Sequence, residues 1–232
     1  MSSGHQKLPD DSHTMTFIRT IIRADGREMA KLLAASPELA RQSLTTAATR
    51  ERATEFFFPE IEHYLYAGDT PLHAAAAGYR TDMARVLLKH GADVFAVNRR
   101  GAAPLHYAAD GGPGLRNWNP QAQAEMVRLL IEAGANPNAL DKSGVAPLHR
   151  AVRQRCPSAV EALLRNGAQV RLKNKSGSTP LHLAVQTTGR GGSGSAEAKA
   201  NQQEIIRILL KSGADPKDQV VPARQRREES GR

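Results

Sequence analysis

The sequence predicts an all-α solenoid, pairs of helices stacked in a row. Three observations predict it. A tetrad recurs four times, as Thr70-Pro71-Leu72-His73, Ala103-Pro104-Leu105-His106, Ala146-Pro147-Leu148-His149 and Thr179-Pro180-Leu181-His182, at intervals of 33, 43 and 33 residues. Each tetrad is followed by a leucine pair (Leu87–Leu88, Leu129–Leu130, Leu163–Leu164, Leu209–Leu210) and then by Gly91, Gly134, Gly167 or Gly213. Another glycine precedes each tetrad, at 68, 101, 144 and 177. Self-similarity at such a period marks a repeat architecture.

Each part of the unit has a physical task. The threonine hydroxyl can cap the first helix, and proline suits a first turn that needs no N–H donor. The tetrad leucine points into the core. Ala103 and Ala146 replace threonine and forgo a cap worth roughly 1 kcal/mol each, in interior repeats where neighbours can compensate. The leucine pair gives the second helix its apolar face, and the glycine after it tolerates the positive φ of a helix stop. One pair cannot bury its own face, so stacking must supply the core.

Over residues 68–219 these residues resemble the ankyrin repeat, a turn followed by two antiparallel helices. The resemblance implies finger-like β-turns between repeats. It implies tetrad histidines that join neighbouring turns by hydrogen bonds. It also implies recognition through a concave surface built from finger tips and first helices.

The flanks are irregular. Residues 15–67 read as an N-terminal capping helix pair, with Leu32–Leu33 in the leucine-pair position, plus a long connection from 43 holding five of the ten aromatics. That connection is expected to fold over the first repeat's core, with a partner anchor at Phe56–Phe58 as the alternative. Residues 1–14 and the basic 220–232 are expected to be disordered tails. Insertions at 111–120 and 187–200 separate the two helices of the second and fourth repeats and should project from the edge opposite the fingers. Asn119-Pro120 reads as an N-cap and first helical residue. Trp118, the single tryptophan, is expected to pack on its own helix pair, with exposure to a partner as the alternative. Ser195 reads as the N-cap of a long helix from Ala196 to about Lys211. The glycine-rich run before it lacks Gly-Lys-Ser/Thr, so a flexible loop is favoured over an anion nest with Arg190.

Composition narrows the chemistry. With 232 residues, 40% hydrophobic and 24% charged, most of the chain should fold. No apolar run approaches the ~18–20 residues that span a bilayer, and the N-terminus has no apolar signal-peptide region. One cysteine, Cys156, allows neither an internal disulfide nor a thiolate-cluster zinc site and points to a reducing cytoplasm. Neither His-Glu-x-x-His nor Gly-x-Ser-x-Gly occurs, so no catalytic site, metal or cofactor is expected. Cys156 precedes Pro157 at a helix start, near Arg153 and Arg155. A cap-filling residue is the expectation and a reactive thiol the alternative.

The net charge is +9. Placed on the concave surface that the resemblance implies, Val97, Arg99, Arg100, Leu140, Lys142, Lys173 and Lys175 come from fingers. Asp110, Arg153, Gln154 and Gln186 come from first helices. Six cations then face Asp110 alone, with Trp118 as an apolar anchor beside them. The expectation is a monomeric, non-enzymatic module that binds an acidic segment of another protein. Nucleic acid stands second, because the strip holds no aromatic for base stacking. A ligand receptor or enzyme built on the insertions stands third and requires Trp118, Arg190 and Cys156 to converge.

Overall fold

The structure is a computed structural model that describes residues 11–46, 48, 53–116, 118–186 and 195–219. The expected tail at 220–232, the glycine-rich run up to residue 194 and Arg190 lie outside the described residues.

The first helix pair is α1 (Ser12–Ile22) and α2 (Gly26–Ala35). Phe17, Ile18, Ile21 and Ile22 of α1 and Met29 and Leu33 of α2 are buried in the core. Helix α1 begins within the stretch expected to be a tail. Asp11 fastens it, accepting hydrogen bonds of 2.6–3.1 Å from the backbone and hydroxyl groups of Thr45 and Thr46.

The long connection contains a small hairpin, β1 (Phe57–Phe58) with β2 (His63–Tyr64), which the sequence pattern did not announce. Alternate residues of a strand face opposite sides. Phe58 is accordingly buried, as is Phe56 at the end of the 3-10 turn before the strand, whereas Phe57 stays outside against Tyr64, ring centroids 4.9 Å apart. The segment thus covers core with Phe56 and Phe58, as expected, and leaves Phe57 at the surface.

Four helix pairs follow: α3 (Pro71–Ala77) with α4 (Thr81–Lys89), α5 (Pro104–Ala108) with α6 (Pro120–Glu132), α7 (Pro147–Arg153) with α8 (Pro157–Arg165), and α9 (Pro180–Val185) with α10 (Ala196–Lys211). Helices α1, α3, α5, α7 and α9 pack in one layer and α4, α6, α8 and α10 in the other. Within the leucine pairs, Leu87, Leu163 and Leu209 are fully buried, and the residue after each is half-buried. The glycines at 91, 134, 167 and 213 all adopt the positive φ expected of helix stops. Asn119 caps α6 by accepting from the N–H groups of Gln121 and Ala122, and Ser195 caps α10 by accepting from Ala198.

The two tetrad threonines differ. Thr179 caps as expected, its hydroxyl accepting from the His182 N–H at 3.3 Å, whereas the Thr70 hydroxyl meets His73 Nδ1 at 2.9 Å. At every tetrad the backbone N–H of the N-cap residue donates to Nδ1 of the histidine three residues on. That ring cap is independent of the N-cap side chain, which explains alanine at 103 and 146.

An Nδ1 that accepts leaves the proton on Nε2. From there His73 donates to the Ala102 carbonyl, His106 to Val145 and His149 to Leu172, each at 3.0 Å in the following finger. Ahead of His182 the described residues hold no further finger. Asp218, in the 3-10 turn Pro216–Gln219, stands there instead: Oδ1 lies 3.9 Å from His182 Nε2, and Oδ2 accepts from the Thr179 hydroxyl at 2.9 Å.

Candidate functional site

Three fingers rise between the helix pairs. One residue organises each tip. Asn98, Asp141 and Asn174 occupy equivalent positions, and the Oδ1 of each accepts from the N–H groups two and four residues ahead. That turn leaves Arg99, Lys142 and Lys175 equivalent and exposed. The fingers are bonded in sequence: Arg99 N donates to the Ala67 carbonyl (2.7 Å), Lys142 N to the Arg100 carbonyl (2.9 Å), and the Lys175 ammonium to the Lys142 carbonyl. The cations therefore form a column. Val97 and Leu140 lie beside it, 58% and 50% exposed, with Lys173 at the same position in the third finger. Tyr66 takes the column position in the preceding connection. The guanidinium groups of Arg99 and Arg100 lie over its ring, 5.5 and 4.8 Å from the centroid, a cation–π arrangement. The strip thus does contain an aromatic, contrary to expectation.

The groove floor corrects two further expectations. Asp110 and Gln154 are engaged with each other and with neighbours rather than open to a partner. Asp110 Oδ1 accepts from the Gln154 amide, and Oδ2 lies 3.2 Å from Arg150 and 3.7 Å from His63 Nε2. Arg150 also bonds Asp141 at 3.0 Å. Burial alone would raise the Asp110 carboxyl, but His63, Arg150 and Gln154 outweigh it and hold the group below the ordinary carboxylate range. Asp141 moves the same way: burial opposes, and the Val145 N–H and Arg150 prevail. Arg150 and His63 are the residues that sequence reasoning missed. His63 looked isolated. Arg150 follows a tetrad histidine, where the other repeats hold Ala74, Tyr107 and Leu183, and that departure was its only signal. Arg153 is exposed as expected, and Gln186 is half-buried.

The first insertion curls back onto the groove instead of projecting. Gly111, Gly112 and Pro113 are buried. A Cβ on Gly112 would lie 2.0 Å from the Gln154 carbonyl oxygen, so only glycine permits this approach. Tyr79 donates to the Asp110 carbonyl at 2.8 Å and ties the insertion to the first repeat. Trp118 is half-buried and donates through Nε1 to Gln123 Oε1 at 2.8 Å. Trp118 also lines a 460 Å³ cavity together with Tyr64 and Tyr66. A neighbouring 330 Å³ hollow shares Arg100, Asp110 and Gln154 with it and adds Arg150 and Arg153.

Behind the first finger lies a fully buried polar network. Asp69 Oδ1 accepts from Asn98 Nδ2 at 2.9 Å, and Oδ2 accepts from the Tyr66 N–H at 2.6 Å and the Tyr107 hydroxyl at 2.7 Å.

Cys156 and Trp118 do converge, on the Gln123 amide oxygen. The Cys156 thiol donates to it at 2.8 Å, but the meeting point is interior because Cys156 and Gln123 are both fully buried. Burial pushes the thiol up to about 11 despite helix N–H groups that favour the thiolate. Native protein should therefore react with a thiol reagent about 100-fold more slowly than a model thiol at mildly alkaline pH. Denaturant should restore the model rate, and a fast native reaction would return the reactive-thiol alternative.

Among the described residues, no helix is long and apolar enough to cross a membrane. No curated protein matches the chain. A family model described as ankyrin repeats in three copies matches residues 28–116 and 118–220. Matched over most of its length, the chain belongs to the ankyrin repeat family.

Proposed function

We propose that this chain is a recognition module whose finger column docks an acidic segment of another protein. Ankyrin repeats generally mediate protein–protein interaction. One observation carries the finer reading. Arg99, Arg100, Lys142, Arg153, Lys173 and Lys175 are all exposed, and among the described residues none forms an ion pair, whereas the groove acids Asp110 and Asp141 are both neutralised by Arg150. Such a field raises association rate and makes binding salt-dependent. Val97 and Leu140 add apolar contact beside it. Protein is favoured over nucleic acid because Arg99 and Arg100 cover the Tyr66 ring that a base would need for stacking.

The test uses the triple variant Arg99→Glu, Arg100→Glu, Lys173→Glu. All three side chains are exposed, so the fold should survive. Affinity for a glutamate-rich peptide should fall about 100-fold, and wild-type binding should weaken as salt rises. Unchanged affinity would overturn the reading. Tight polynucleotide binding without peptide binding would replace it with the nucleic-acid alternative.

A further inference from the structure

We propose that the 460 Å³ cavity is an anchor pocket that seats one large apolar side chain of the partner segment, with that segment's carboxylates lying in the adjoining 330 Å³ hollow. The inference rests on the acidic-segment reading and adds the partner's chemistry beyond its charge.

The pocket's walls come from this chain's departures from its own repeat. Tyr64 and Tyr66 belong to the long connection, and Leu115 and Trp118 belong to the first insertion. These two irregular segments line the same cavity, together with Ile61 and Ala77. No regular helix pair supplies such walls. The volume falls within the ~300–1,000 Å³ of ordinary ligand pockets, lined as those are by aromatic and aliphatic groups with a few polar ones.

The charges sort the occupants. Both pocket carboxylates, Glu62 and Asp110, are engaged within the chain, Asp110 with Arg150. A neutral apolar group therefore fits without an electrostatic penalty. In the hollow, three arginines (Arg100, Arg150, Arg153) face two carboxylates (Asp110, Asp141), with the Lys142 column exposed nearby. That side suits a carboxylate. Arg100 belongs to both cavities. Stacking on Tyr66 holds its guanidinium plane, and among the described residues its side chain makes no hydrogen bond. A held guanidinium with free edges is the group that grips a carboxylate bidentately. The partner motif is thus an aromatic or large aliphatic residue with acidic residues to one side. Buried apolar anchors of this kind dominate interface energetics.

The experiment uses short amidated peptides of glutamate and serine carrying one phenylalanine, stepped along the peptide, and the same peptides with alanine in its place. Trp118 is the only tryptophan and lines the pocket, so its emission reports occupancy directly. The best phenylalanine peptide should bind about tenfold tighter than its alanine twin and shift Trp118 emission, which the alanine peptide should leave unchanged. Tyr64 and Leu115 are partly exposed, so Tyr64→Ser with Leu115→Ser should keep the fold and the alanine-peptide affinity while removing the phenylalanine advantage. Equal affinity of the two peptides, with charge reversal still abolishing both, overturns the pocket and leaves acidic docking standing. Indifference to charge reversal, or binding of neither peptide, overturns both.

Discussion

Asp69→Ala should lower unfolding stability by about 3–5 kcal/mol, the largest loss expected of any single polar substitution in this chain. The carboxylate is completely buried and accepts from the Asn98 amide, the Tyr107 hydroxyl and the Tyr66 N–H. Removing it leaves three donors, two of them fully buried, and each buried one carries a desolvation cost of about 1–3 kcal/mol that partial relaxation reduces. Asn98 also shapes the first finger through its Oδ1, so the loss extends to the Arg99–Arg100 tip. Asp93→Ala is the control. That side chain is exposed and accepts only from the Phe95 N–H, so its loss should stay near 1 kcal/mol. Urea unfolding of both variants against wild type decides the matter, and equal losses would show that the network contributes nothing beyond an ordinary turn.

Acid should destabilise the fold across a window set by histidine rather than by the carboxylates. His73, His106 and His149 are fully buried, and each ring accepts at Nδ1 and donates at Nε2. A second proton would abolish the N-cap bond. Burial lowers the affinity of all three for protons, and for His106 it does so down to about 4. The unfolded rings protonate near 6.5, so below that pH the unfolded chain binds more protons than the folded one. The stabilisation is complete above about pH 6.5 and is lost as pH falls toward 4. The slope reaches about 1.4 kcal/mol per pH unit for each ring. Asp110 and Asp141 are shifted downward, so their contributions hold constant through this window and vanish only at lower pH. Denaturant midpoints measured from pH 7.5 to 4 should fall steadily, and a flat profile down to pH 4.5 would contradict the neutral-ring assignment.

The fold was legible because its instructions are local. Tetrad, leucine pair and glycine act within one helix pair, and Asn119, Pro120 and Ser195 mark helix starts by their own chemistry. Helix α10 runs over the residues its cap predicted. The site was legible only at its rim. Arg99, Lys142 and Lys175 follow from position in the repeat, since each finger exposes the same slots. The floor was not legible, because its bonds join residues far apart in the chain. Asp110 meets His63, Arg150 and Gln154 only after three repeats have stacked. The inward curl of the first insertion depends on one missing Cβ at Gly112, which the sequence shows merely as one glycine among several. The hydroxyl cap read from the tetrad threonines forms at Thr179, but the cap that every tetrad shares is an imidazole from within the tetrad itself.

Asp218 has a consequence for engineering. Its carboxylate occupies the place that a successor's carbonyl takes behind His73, His106 and His149, so the coupling socket of the fourth unit is already plugged. Anyone grafting a fifth module onto α10 must first evict that plug, for instance by exchanging the 3-10 turn for a finger, or the addition will hang from the array without locking to it.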